Sequence, residues 1–186
     1  MGQKFAAFDA QGNITAFYDS VDSPIPSGVT NVIQITQAQW QTCISQPGQW
    51  HIVSGALAQV PPPTASQLLA AAQAVQATSL YQLCANAIAS GFTSSALGSA
   101  YSYPSTITDQ TNQNSVANCS SGGLLWCASG GVWAFKAHTQ AQAQAVVAAF
   151  AAWLNKCQSQ LVTLTGQVNA ATSVSAVQAI AWANPT

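Results

Sequence analysis

Neither arginine nor glutamate occurs anywhere in this chain of 186 residues. Its ordinary charges are Lys4, Lys136, Lys156, Asp9, Asp19, Asp22 and Asp109, or 4% of the residues against roughly 25% in a typical globular domain. This shortage excludes several kinds of work. Nucleic-acid binding requires several phosphates to be neutralised, and three scattered lysines cannot form a basic stripe. Electrostatic anchoring to an anionic membrane fails on the same ground. A charge-repelled disordered chain is excluded as well, because mean hydropathy is +0.22 and there is little charge to repel. No apolar run approaches the ~18 residues of a bilayer-spanning helix, so no membrane insertion is expected. The opening MGQKFAAFDAQGN lacks the apolar stretch of a secretory signal and does not read as one.

Residues able to carry catalysis are equally few. The chain has no G-x-S-x-G, no P-loop and no G-x-G-x-x-G. Asp9, Asp19 and Asp22 fall in turns and loops, where aspartate is common for backbone reasons. Cys127 with His138 is the one nucleophile–base pair that a hydrolase reading could use, and nothing local supports it. Cys119, Cys127 and His138 match no common zinc-ligand spacing. The five cysteines (43, 84, 119, 127 and 157) are widely spaced and odd in number, which favours reduced, mostly buried thiols. The expectation is a protein that is not an enzyme and uses no cofactor or metal.

What the chain does hold is 49% apolar residues, six tryptophans and long stretches of Ala, Gln, Ser and Thr. With a net charge of −1, its surface is poorly defended against association. A surface taken up by protein partners, or by copies of the chain itself, follows from that. Tryptophan serves cores, but it is also enriched at binding hot spots, so Trp40 and Trp50 are candidates for partner contact.

Pro61-Pro62-Pro63 divides the chain, because three prolines make a stiff connector that no helix or central strand accommodates. Residues 1–60 read as a small β-rich module. Lys4–Phe8 and Ile14–Tyr18 flank a Gly-containing loop, and Val32–Ile35 is a short strand. Thr36 caps a helix from Gln37 to about Ser45, and Trp50–Val53 with Ala56–Val60 flanks the tight turn Ser54-Gly55. Residues 64–186 read as a helix-rich α+β domain. A capping box at Thr64 and Gln67 opens a helix that runs to about Ser90, with Gly91 as its stop. A short hairpin is expected within Phe92–Pro104, a short helix from Asp109 capped by Thr108, and a hairpin from Leu124–Ala128 and Val132–Ala137. A second capping box, Thr139 with Gln142, opens the longest helix, and Thr172 to Trp182 reads as one more short helix.

On that longest helix Val147, Phe150, Leu154, Cys157, Leu161, Leu164 and Val168 recur at alternating steps of three and four, a heptad seam. Two destinations are open. The seam can pack on the 64–90 helix of the same chain, or it can contribute to an oligomer or grip another coiled coil. Its flanks carry Gln, Ala, Ser and Thr with Lys156 the only charge, so partner choice would rest on shape and amide hydrogen bonds. The seam residues are therefore candidates for partner binding beside Trp40 and Trp50.

Several stretches carry a family resemblance. KFAAFDAQGNITAFY (Lys4–Tyr18), IQITQAQW (Ile33–Trp40), WHIVSGAL (Trp50–Leu57) and the prolines together resemble the N-terminal module of tailed-phage tail-fibre assembly proteins. YPSTITDQTN (Tyr103–Asn112), Trp126 through VWAFKAHTQ (Val132–Gln140) and AIAW (Ala179–Trp182) resemble a helix-rich domain of uncharacterised function found in phage tail proteins. The resemblance implies a non-enzymatic protein, made in the host cytoplasm and placed in the virion tail. It would contact a tail fibre or tail-tip protein, as a structural component or an assembly chaperone, in a homo- or hetero-oligomer. Such families are normally rich in Glu, Lys and Arg along their helices. This chain departs from that pattern, which favours lasting apolar and amide contact over a charge-guided transient one. An alternative is a virion adhesion module that binds a receptor or cell-envelope glycan through exposed Trp and Tyr.

Overall fold

The computed structural model describes residues 2–186. The protein is α+β, with every sheet antiparallel, and the chain divides into two compact units, 1–63 and 64–186.

The first unit is built on a three-stranded sheet in the order β2-β1-β3, from β1 (Lys4–Phe8), β2 (Ile14–Asp19) and β3 (Val32–Ile35). A bulge between Ala7 and Phe8 leads into the Asp9 turn. Asp9 accepts bonds there from the backbone of Gln11 and Asn13 and from the Asn13 amide, which hold its carboxyl below the usual range, the Asn13 side chain most strongly. Helix α1 (Gln37–Ser45) starts at Thr36, whose hydroxyl receives the Gln39 N–H while the Gln39 amide oxygen receives the Thr36 N–H. Strands β4 (Trp50–Val53) and β5 (Ala56–Gln59) form a hairpin whose turn residues Ser54 and Gly55 both have positive φ, the mark of a type I′ turn. This hairpin docks on Gly12 through the Ile52 N–H. Only glycine fits there, since a Cβ would lie 2.2 Å from the Ile52 carbonyl oxygen. Ala6, Ala7, Ile35, Cys43 and Ile52 are the buried apolar residues of this unit.

The second unit pairs two long helices, α2 (Ala65–Ala89) and α4 (Gln140–Ala170), with a four-stranded sheet. The sheet order is β6-β7-β8-β9, from β6 (Phe92–Ser94), β7 (Tyr101–Tyr103), β8 (Gly123–Ser129) and β9 (Val132–His138). Helix α3 (Ile107–Ala117) lies between β7 and β8 in sequence, and a five-residue helix α5 (Val174–Gln178) follows α4. Helices α2 and α4 run antiparallel. Gln73 near the start of α2 bonds the Val168 and Ala171 carbonyls at the end of α4, while Trp153 in the first half of α4 donates to Ala87 at the end of α2.

Two expected boundaries are corrected. The cap of α3 is Thr106, not Thr108, because Asp109 stands three residues after Thr106 and returns the reciprocal bond; Thr108 lies inside the helix. The last helix is shorter than Thr172–Trp182. Ser173 caps it, and beyond Gln178 the chain leaves helical form so that Ile180 and Trp182 pack on the core.

Near the sheet, Phe92, Tyr103, Leu125, Cys127, Ala143 and Val146 are buried together, with Phe92 stacked on Tyr103 at 5.7 Å. Farther along the helix pair, Leu80, Leu164, Val168 and Val177 form one cluster and Cys84, Ala87 and Cys157 another, bridged by Leu161 and Trp182. No buried side-chain nitrogen or oxygen lacks a partner among the described residues.

Candidate functional site

The heptad seam faces inward. Cys157 and Val168 are fully buried, Leu164 nearly so, and Val147, Phe150 and Leu161 pack against the core clusters. Leu154 is half-buried and belongs to none of them. Of the two destinations left open for this stripe, packing within the chain is the one seen for most of it: α2, the sheet and the C-terminal segment cover it, Leu154 apart. With about seven apolar residues on one face of a long helix, packing inside the chain removes apolar area from water at no cost in association entropy.

The tryptophans of the first unit are half-buried. The Lys4 ammonium sits 4.7 Å from the Trp40 ring centroid, in cation–π geometry, which leaves that ring partly covered. The Trp50 indole N–H donates to the Gln46 amide oxygen at 3.1 Å. Trp50 also lines a groove of about 370 Å³ with Ile14, Phe17 and Ile44, so it keeps a face toward an open surface.

The hydrolase dyad does not assemble. Cys127 and His138 are both buried, and both ring nitrogens of His138 are otherwise engaged, Nε2 with the Tyr103 hydroxyl at 2.8 Å and Nδ1 with the Lys136 carbonyl oxygen at 2.9 Å. Burial pushes the Cys127 thiol up, the opposite of what activates a nucleophile. Cys43, Cys84 and Cys157 are likewise buried, with thiols pushed up by desolvation. Cys119 is exposed, and the Ser121 hydroxyl holds its thiol below the usual value. Among the described residues no group of three or more His, Cys, Asp or Glu could hold a metal ion, and no helix is long and apolar enough to cross a membrane.

An open aromatic surface lies on the β8–β9 hairpin. Its two strands join through Gly130 and Gly131, both with positive φ, and pair without interruption from Ser129↔Val132 to Gly123↔His138. Alternation sends Leu125 and Cys127 into the core and Leu124 and Trp126 outward, and the register sets Phe135 directly opposite Trp126. Trp126 and Phe135 lie 4.8 Å apart by ring centroids, and Trp126 and Trp133 stack at 6.2 Å with planes 17° apart. These three rings stay 41%, 63% and 44% exposed respectively, and Leu124 60%. A row of aromatic rings this open is unusual on a folded protein and makes this face the candidate site.

Beside the row runs a groove of about 500 Å³ between the hairpin and α3. Its apolar wall is Leu124, Trp126, Phe135 and Val116, and its polar wall carries Asp109 and Asn112. Asp109 spends Oδ2 on the helix cap, which leaves Oδ1 without a partner among the described residues. The Asn112 amide, exposed on the next turn of α3, also has none there. The sequence did carry a trace of this face. Leu124, Trp126 and Ala128 alternate with Leu125 and Cys127, so both faces of β8 are apolar although a single sheet face meets a helix layer. No protein-family model, curated protein or solved structure matches the chain.

Proposed function

We propose that the chain is a non-enzymatic tail protein of a tailed bacteriophage that binds the tail fibre and stays with it as a structural part of the virion. The observation that carries the reading is the open row Leu124, Trp126, Phe135 and Trp133 on a chain almost without charge. Aromatic side chains of this kind supply most of the energy at protein interfaces, and a surface without ionic groups suits a lasting contact. The resemblance of stretches within Lys4–Leu57 and within Tyr103–Trp182 to phage tail modules is the support for this partner class. Co-expression with the neighbouring fibre gene, followed by size exclusion with mass determination, tests it. The wild type is expected to travel with the fibre chain. The double variant Leu124→Ser/Trp126→Ser is expected to keep the wild-type far-ultraviolet circular dichroism and a cooperative melt, and to lose the complex. A complex that survives the double variant, or a wild type that never forms one, refutes the assignment. A protein inventory of purified particles separates the structural role from the chaperone role, because a chaperone is absent from the finished tail.

The groove supports a second reading, an adhesion module for an uncharged glycan. Sugar rings stack on indole faces, and Asp109 Oδ1 and the Asn112 amide stand beside Trp126 to meet hydroxyls. A glycan-binding screen checks it, with loss of any hit in Asn112→Ala as the expected control.

A further inference from the structure

Strand β9 forms one edge of the four-stranded sheet, and β8 is its only neighbour there. The hairpin closes on Ser129↔Val132 around a two-residue turn, so this pair exchanges hydrogen bonds and the alternation continues along the ladder. Val132, Ala134, Lys136 and His138 therefore spend their backbone groups on β8. The N–H and C=O groups of Trp133, Phe135 and Ala137 point away from it, and none has another backbone partner among the described residues. Natural sheets blunt such edges with prolines, bulges, very short strands or charged side chains, lysine above all. This edge is seven residues long with no proline or bulge; Lys136 is its one such charge, and it stands on the face opposite Phe135.

We infer that β9 pairs edge to edge, antiparallel, with β9 of a second copy of this chain, about a two-fold axis through Phe135. The free backbone groups are symmetric about that residue. Phe135 then exchanges hydrogen bonds with the second copy's Phe135, and Trp133 with the second copy's Ala137, so one surface patch serves both sides as a two-fold contact requires. The side chains agree with the backbone. Trp133, Phe135 and Ala137 share the outer face, so pairing joins the aromatic rows of both copies into one strip. Charge does not oppose it. Each copy has a net charge of −1, and Lys136 falls opposite the second copy's Ala134 rather than its Lys136. Self-pairing of this kind does not rest on fibre binding, although it uses Trp133 and Phe135 of the same row.

The test uses the full chain under reducing conditions, so that exposed Cys119 forms no cross-link. Mass measured on size exclusion over a micromolar concentration series is expected to double with rising concentration. Phe135 is 63% exposed, so Phe135→Lys and Phe135→Asp are expected to keep the wild-type circular dichroism and melting. Each alone is expected to stay monomeric, because like charges face each other at the axis. Mixed in equal amounts, the two are expected to recover the doubled mass as a heterodimer. A wild type that remains monomeric overturns the inference, and so does a Phe135→Lys chain that dimerises like the wild type. A wild-type dimer whose two charge variants fail to combine overturns the pairing about Phe135.

Discussion

At the scale of single residues, protons and amides are placed with little help from charge. His138 shows the economy. Its Nδ1 lies 2.9 Å from the Lys136 carbonyl oxygen, which can only accept, so Nδ1 carries the proton and Nε2 is left to accept the Tyr103 O–H. Burial pushes the Tyr103 hydroxyl far up, which keeps it a donor at any ordinary pH. Tyr103→Phe removes the donor and leaves Nε2 buried and unpaired, a loss expected to be about 1–3 kcal/mol in chemical denaturation. Among the described residues Asp19 is the one side-chain carboxylate in an ion pair. The Lys4 ammonium beside it, then the Val21 and Asp22 N–H groups, hold it at about 2 against an ordinary 3.8. The folded value is the lower one, so the unfolded chain takes up the proton first. The stabilisation is complete above 3.8 and is lost as pH falls from there through about 2. The melting-temperature gap between the wild type and Asp19→Asn is therefore expected to be constant near neutrality and to close across that acid window. A gap that does not depend on pH contradicts it.

At the scale of elements, neutral side chains complete the helix ends that charged residues usually serve. Thr36, Thr64 and Thr139 each form a reciprocal box with a glutamine three residues on, and Thr106 does so with Asp109. At the C-terminal ends Gln73 covers carbonyls of α4, Gln144 covers Ala117 of α3, and the Trp153 indole covers Ala87 of α2. The long seam of α4 depends on the same enclosure. Val168→Asp buries a charge with no partner and is expected to cost about 3–5 kcal/mol. Val162→Asp, six residues earlier on the same helix at a site 72% exposed, is expected to stay within ~0.5 kcal/mol. Equal losses in urea titrations of the two variants would mean that the seam does not face the core.

At the scale of the whole molecule, the three large apolar clusters all lie within residues 64–186. The second unit therefore owns a core sufficient for folding, whereas the first unit buries a handful of small and medium apolar residues on its sheet. A fragment spanning 64–186 is expected to keep its helical circular dichroism and a cooperative thermal transition. A fragment without a transition would show that those clusters do not suffice. The same unit carries the open aromatic row, so the fragment is also the natural material in which to test the proposed fibre binding.

Local chemistry by itself determined much of this protein. The α+β class, the helix starts at Thr36, Thr64 and Thr139 and the glycine-turned hairpins follow from caps and turns, which act over a few residues and are complete within the segment that carries them. The misplaced α3 cap shows the limit of such reading, because two threonines stood two positions apart and only the reach of Asp109 chose between them. Tertiary structure alone decided where the apolar stripes go. A heptad repeat states that a helix has an apolar face but not whose surface covers it, and here α2 and the sheet do. Alternation on β8 states that both faces are apolar but not which one meets a helix layer. Packing α4 against the Leu125 and Cys127 face left Trp126, Trp133 and Phe135 in water, and no neighbour in sequence could have revealed that choice.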